Sequence, residues 1–70
     1  MIVNDWYEFD KKYGEKKIKV KTIYGNEYTG ILYDIESDEE EIPADILMLE
    51  SEEEDIPVDV KNIISIEIIE

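Results

Sequence analysis

The 70-residue chain has no cysteine and no histidine, and it has only three glycines and two prolines. Without cysteine no disulfide can stabilise the fold, and the usual thiolate and imidazole ligands of a zinc site are missing as well. No side chain with an ordinary pKa near neutrality is present to activate a serine as a nucleophile. We therefore predict that the protein is not an enzyme and that it holds no metal and no cofactor.

Long apolar runs are missing too. No run approaches the roughly 18 residues that a membrane span needs. Residues 1–5 lack the basic start and the apolar stretch of a secretion signal. We therefore expect a cytoplasmic protein without a membrane partner.

Apolar residues make up 43% of the chain, enough for one core, so we predict a single domain over residues 1–70. In a chain this short, hydrophobic burial at about 25 cal/mol per Å² and the entropy of ordering nearly cancel. Since disulfides and zinc are excluded, self-association is the remaining source of added stability.

Charge is abundant and mostly of one sign. Twenty acidic residues oppose seven lysines, for a net charge of −13. Six of the lysines lie in residues 1–21, whereas sixteen of the acids lie in residues 22–70. The overall field repels nucleic acid, and the uneven distribution suits copies of the chain that pack front to back, as in a ring. A basic protein is a further partner that this charge favours.

The periodicity predicts a mainly β fold in which an N-terminal α-helix precedes a five-stranded, strongly bent antiparallel sheet. Asp5 and Glu8 are spaced as a capping box, and Gly14 is expected to end the helix in the left-handed conformation. Gly25 and Asn26 favour a tight hairpin with positive φ at both residues, and Gly30 marks a bend. The predicted bounds are about 5–13 for the helix and about 16–24, 27–36, 45–50, 56–60 and 63–69 for the strands.

Over nearly the whole chain the order of the predicted elements resembles the Sm-like family, the small β-barrels that include bacterial Hfq, and one segment resembles the family's first motif. The resemblance is carried by spaced apolar residues, a turn glycine, a bend glycine, an inward leucine and an aspartate: Ile18, Val20, Gly25, Tyr28, Gly30, Leu32 and Asp34. It implies an Sm-like or SH3-like small barrel, rings in which an outer strand pairs with the last strand of the next subunit, and RNA binding.

Two departures from the family's pattern bear on RNA. Where the family has a pore-loop asparagine, this chain has the acidic segment Glu36–Glu41, and only Lys61 of the family's cation–glycine pair is retained, followed by Asn62. A loop this acidic should repel phosphates. The alternative remains an RNA-binding ring, whose candidate contacts are Lys17, Lys19, Lys21, Lys61 and Asn62.

Two acidic loops follow a similar pattern fourteen residues apart. They lack the ligand spacing and central glycine of an EF-hand, so we read them as solvated loops that keep the protein soluble. A second alternative is an acidic mimic of nucleic acid that blocks a DNA- or RNA-binding protein. The loop residues are Asp38, Glu39, Glu40 and Glu41 in the first copy and Glu52, Glu53, Glu54 and Asp55 in the second.

The last predicted strand is the candidate oligomer interface. Strict alternation places Ile64, Ile66 and Ile68 on one face and Ile63 and Ile69 on the other, so whichever face packs inward, isoleucines remain outside. A second copy could bury them. The sequence therefore predicts a non-enzymatic, self-associating protein-interaction module.

Overall fold

The computed structural model describes residues 1, 3–37 and 45–69. Within these residues it contains the predicted α-helix and five strands, and a short 3-10 helix where a turn was expected. These elements are α1 (Trp6–Tyr13), β1 (Lys17–Thr22), β2 (Glu27–Ser37), β3 (Asp45–Glu50), β4 (Asp55–Asp59), η1 (Val60–Asn62) and β5 (Ile63–Ile68).

Helix α1 begins at the predicted cap and ends at the predicted residue, Tyr13, but the conformation that follows it differs from the prediction. The Asp5 carboxylate accepts a hydrogen bond from the backbone N–H of Glu8 at 3.2 Å. At the other end Gly14 has φ −59°, and the left-handed residue is Glu15, with φ 62°. The prediction of a left-handed Gly14 is wrong. Glycine is required there for space, because a Cβ would contact the carbonyl oxygen of Asp10.

The β1–β2 hairpin has a three-residue loop. Thr22 N donates to the carbonyl of Asn26 at 2.9 Å, and Gly25 N donates to the carbonyl of Thr22 at 3.1 Å. Gly25 has φ 85°, which is typical of the last residue of such a loop, whereas Asn26 does not share the positive φ that was predicted for it.

The five strands form one antiparallel sheet in the order β4-β3-β2-β1-β5. The first four strands follow one another as a meander, and β5 returns to pair with β1. Within the described ranges β4 and β5 lie at opposite edges and do not pair with each other. The five-stranded antiparallel sheet is thus confirmed, but the sheet is not closed into a barrel.

The core lies on one face of the sheet. In the described part of the chain nine buried side chains form it, and α1 contributes Phe9 and packs Trp6 and Tyr13 against it. Gly30 lies where β2 comes close to β3, so that a Cβ there would lie 2.8 Å from the carbonyl oxygen of Glu50. The core residues are Phe9, Ile18, Val20, Leu32, Leu47, Leu49, Val58, Val60 and Ile63.

Candidate functional site

Among the strands that the structure describes, the backbone of β5 pairs with β1 on one side and with none on the other. Ile69 N donates to the carbonyl of Lys17 at 3.0 Å. Since hydrogen-bonded pairs alternate along an antiparallel ladder, Glu67 and Ser65 also turn their backbone groups toward β1. The N–H and C=O groups of Ile66 and Ile68 therefore point away from β1, along the outer edge of the sheet.

A bulge at Ile64 changes which isoleucines share a face. Lys21 pairs with Ser65, but the next residue of β1, Thr22, pairs with Ile63, so Ile64 is the extra residue. The predicted alternation is wrong at this point, because Ile63 lies on the core side with Ile66. Ile63 is only 1% exposed, so it belongs to the core and is closed to a partner.

The other predicted interface residues lie at the free edge or beside it. Ile64, Ile68 and Ile69 are 59%, 38% and 39% exposed, and Ile66 is half-buried against the core. Ile66 and Ile68 lie on the core side of the sheet, opposite Val20 and Ile18 of β1. Ile69 follows the strand on the outer side, opposite Lys17. Apolar side chains thus flank the unpaired backbone on both sides of the sheet.

The opposite edge of the sheet, β4, is protected against the addition of another strand. Ser51 N donates to the carbonyl of Glu54 at 3.2 Å, so the ladder's alternation turns the backbone groups of Asp55, Pro57 and Asp59 away from β3. Proline has no N–H to offer a partner strand, and charged residues on an edge disfavour the addition of another strand. Of the two edges that the described strands form, β5 is the one without proline.

The candidate nucleic-acid residues fall into two groups. Lys17, Lys19 and Lys21 lie side by side on the outer face of β1, whereas Lys61 and Asn62 lie in η1. Carboxylates accompany both groups: Lys19 Nζ is 3.6 Å from Glu27 Oε1, and Lys61 Nζ is 3.6 Å from an Asp59 carboxylate oxygen. Glu67 lies opposite Lys19 on β5. The positive charge of this surface is therefore partly neutralised by the protein itself.

The second acidic loop is the exposed turn between β3 and β4. The Ser51 hydroxyl donates to the carbonyl of Glu54 at 2.6 Å and holds the turn. Among the described residues no group of three or more acidic side chains is arranged to hold a metal ion. The first loop, from Asp38 to Glu41, lies outside the described residues.

One contact at this turn was missed by sequence reasoning. The Tyr33 hydroxyl donates to an Asp55 carboxylate oxygen at 2.8 Å and links the β2 bulge to the start of β4. This hydrogen bond, together with desolvation and the negative charges of Asp55, Asp34 and Glu36, raises the pKa of Tyr33 to about 12. The two residues are 22 positions apart, and no local pattern connects them.

Comparisons with protein-family models, with curated proteins and with solved structures find no match. The resemblance to the Sm-like family therefore stays a prediction. No helix in the described part of the chain is long and apolar enough to cross a membrane.

Proposed function

We propose that the protein is a non-enzymatic interaction module of the Sm-like type that associates with itself through the free edge of β5. The order of its elements supports the Sm-like assignment: a capped helix, a lysine-rich first strand, a glycine-bent second strand and a short link into the last strand. The proposal does not depend on closure into a barrel.

The observation that carries the proposal is the character of the β5 edge. The backbone groups of Ile66 and Ile68 point outward, and the exposed isoleucines beside them offer apolar surface. An unprotected edge strand is a template for another strand. A second chain would satisfy these backbone groups and remove apolar area from water at about 25 cal/mol per Å².

Size and charge also support self-association. Few residues are fully buried in a domain this small, so burial between copies adds an appreciable share of the total stability. The net charge of −13 opposes nonspecific aggregation. Association is therefore expected at the surface where the local charge is lowest. The β5 edge is such a place, since Glu67 is the one charged residue of the strand and it faces Lys19.

Light scattering on the intact protein tests the proposal. We expect a mass above that of the monomer at micromolar concentrations, and we expect Ile68→Lys to return the protein to a monomer by placing a charge at the edge. Ile31→Lys is the matched control, because Ile31 is also 38% exposed but lies on β2, away from the edge. A wild-type monomer throughout the micromolar range would overturn the proposal.

A further inference from the structure

We infer that the chain covering β5 is the β5 strand of a second copy, paired antiparallel about a two-fold axis that passes through Ile66. This inference rests on the proposed function and specifies its partner and register. It differs from the arrangement that the Sm-like resemblance implies, in which the last strand pairs with an outer strand of a neighbour.

The faces of the sheet favour a junction between two β5 strands. Residues whose backbone groups point outward meet each other across an antiparallel junction, with their side chains on one side of the joined sheet. On β5 these residues are Ile66 and Ile68, which face the core side. A two-fold axis perpendicular to the sheet places Ile66 opposite Ile66 of the second copy and keeps both core sides on the same face. Apolar side chains then meet apolar side chains.

Charge fixes the register. An axis through Glu67 would set it directly opposite Glu67 of the second copy, and like charges in opposed positions are destabilising. An axis through Ile66 sets Glu67 opposite Ser65 of the second copy instead. In this register the regular part of the strand, from Ser65 to Glu67, pairs with the same residues of the second copy.

The edge of β4 is the competing partner, and it fits less well. Its outward residues Asp55, Pro57 and Asp59 have their side chains on the outer face, because Val58 between them is buried. An antiparallel junction between β4 and β5 would place the isoleucines of β5 beside two carboxylates and a residue that donates no hydrogen bond. The two-fold junction between β5 strands avoids both defects.

The α-protons across the junction test the inference in the unmodified protein. We would mix carbon-13-labelled and unlabelled wild-type chains and record isotope-filtered nuclear Overhauser effects between subunits. In the two-fold register Ser65 and Glu67 of opposite chains form a non-hydrogen-bonded pair, with Cα atoms about 4.5 Å apart and α-protons directed at each other. We expect this contact between chains. Contacts from β5 to Asp55, Pro57 or Asp59 of the other chain would overturn the inference.

A charge-coupling experiment provides a second test. Ser65→Glu creates two opposed pairs of like charges across the axis and should weaken association by about three- to tenfold. Ser65→Gln is the uncharged control. Glu67→Gln in the Ser65→Glu background should restore the affinity, and an unchanged loss would overturn the register. A monomeric wild type in light scattering would overturn the proposed function itself. An oligomer that lacks both the Ser65–Glu67 contact between chains and the charge coupling would overturn only the two-fold pairing.

Discussion

Replacing Gly30 by alanine tests whether the pairing of β2 with β3 depends on the close approach of their two backbones. Gly30 is buried where β2 passes β3, and an added Cβ would lie 2.8 Å from the carbonyl oxygen of Glu50 and 3.1 Å from the Cβ of Leu49. The first distance is shorter than a carbon–oxygen contact allows, and its partner is backbone. The two strands must therefore separate at their pairing between Ile31 and Glu50.

The expected loss follows from overpacking, which typically costs about 1–3 kcal/mol in a packed core. A domain of this length has a total stability of about 4–10 kcal/mol. Gly30→Ala should therefore lower the melting temperature by at least about 4 °C. Urea unfolding followed by the fluorescence of Trp6, which packs against the core, measures the change, and repetition at several protein concentrations separates unfolding from dissociation.

Gly25 provides the control, because a Cβ there contacts nothing within 4 Å but the residue has φ 85°. Gly25→Asn should be tolerated better than Gly25→Ala, since asparagine adopts positive φ more readily. At Gly30 asparagine should be no better than alanine. A Gly30→Ala variant within about 0.5 kcal/mol of the wild type would refute the reasoning, because that is the range of a surface substitution away from any special feature.

Four other outcomes are expected. Subtracting the alkaline absorbance titration of Tyr33→Phe from that of the wild type should leave the titration of one phenol, with a pKa of about 12. Asp55→Asn should lower this pKa, because it removes the carboxylate that accepts the hydrogen bond. A difference curve centred near pH 10 would contradict the hydrogen bond. Because the pKa is raised on folding, the stability contributed by this bond should be complete below pH 10 and be lost as the pH rises through about 12. Glu15→Gly should raise the free energy of unfolding by up to about 1 kcal/mol, because glycine adopts the left-handed conformation without strain. Gly14→Ala should lower the free energy of unfolding in the same denaturation assay, because its Cβ would contact the Asp10 carbonyl. The reverse order of stability would show that the helix ends differently. Short single-stranded RNA should give a flat titration at low salt, and salt-sensitive binding would favour the RNA-binding alternative.

The sequence predicts the elements that follow from local patterns. The period-two burial of β1 and the cap at Asp5 are both present, because each depends on residues within one element. The helix ends at Tyr13 as predicted, but the left-handed residue after it is Glu15 and not Gly14. Gly14 is needed for its missing Cβ rather than for its φ, and this distinction depends on the position of the Asp10 carbonyl.

Long-range features could not be predicted in the same way. The bulge at Ile64 places Ile63 in the core. This bulge depends on how the end of β1 meets η1, where Ile23 N donates to the Asn62 carbonyl at 2.8 Å. Whether the curled sheet closes depends on the total bend of all five strands. The candidate edge was nevertheless identified from its excess of isoleucine, because apolar residues on both faces of a terminal strand exceed what one core can cover.

Amide hydrogen exchange along β5, resolved by residue and measured at two protein concentrations, tests the central claim most directly. The amides of Ser65 and Glu67 are turned toward β1, whereas those of Ile66 and Ile68 point to the free edge. The account predicts that Ile66 and Ile68 exchange fast in dilute solution and become protected as the concentration rises, while Ser65 and Glu67 stay protected at both concentrations. Exchange at Ile66 and Ile68 that stays fast at the higher concentration would contradict strand pairing at this edge.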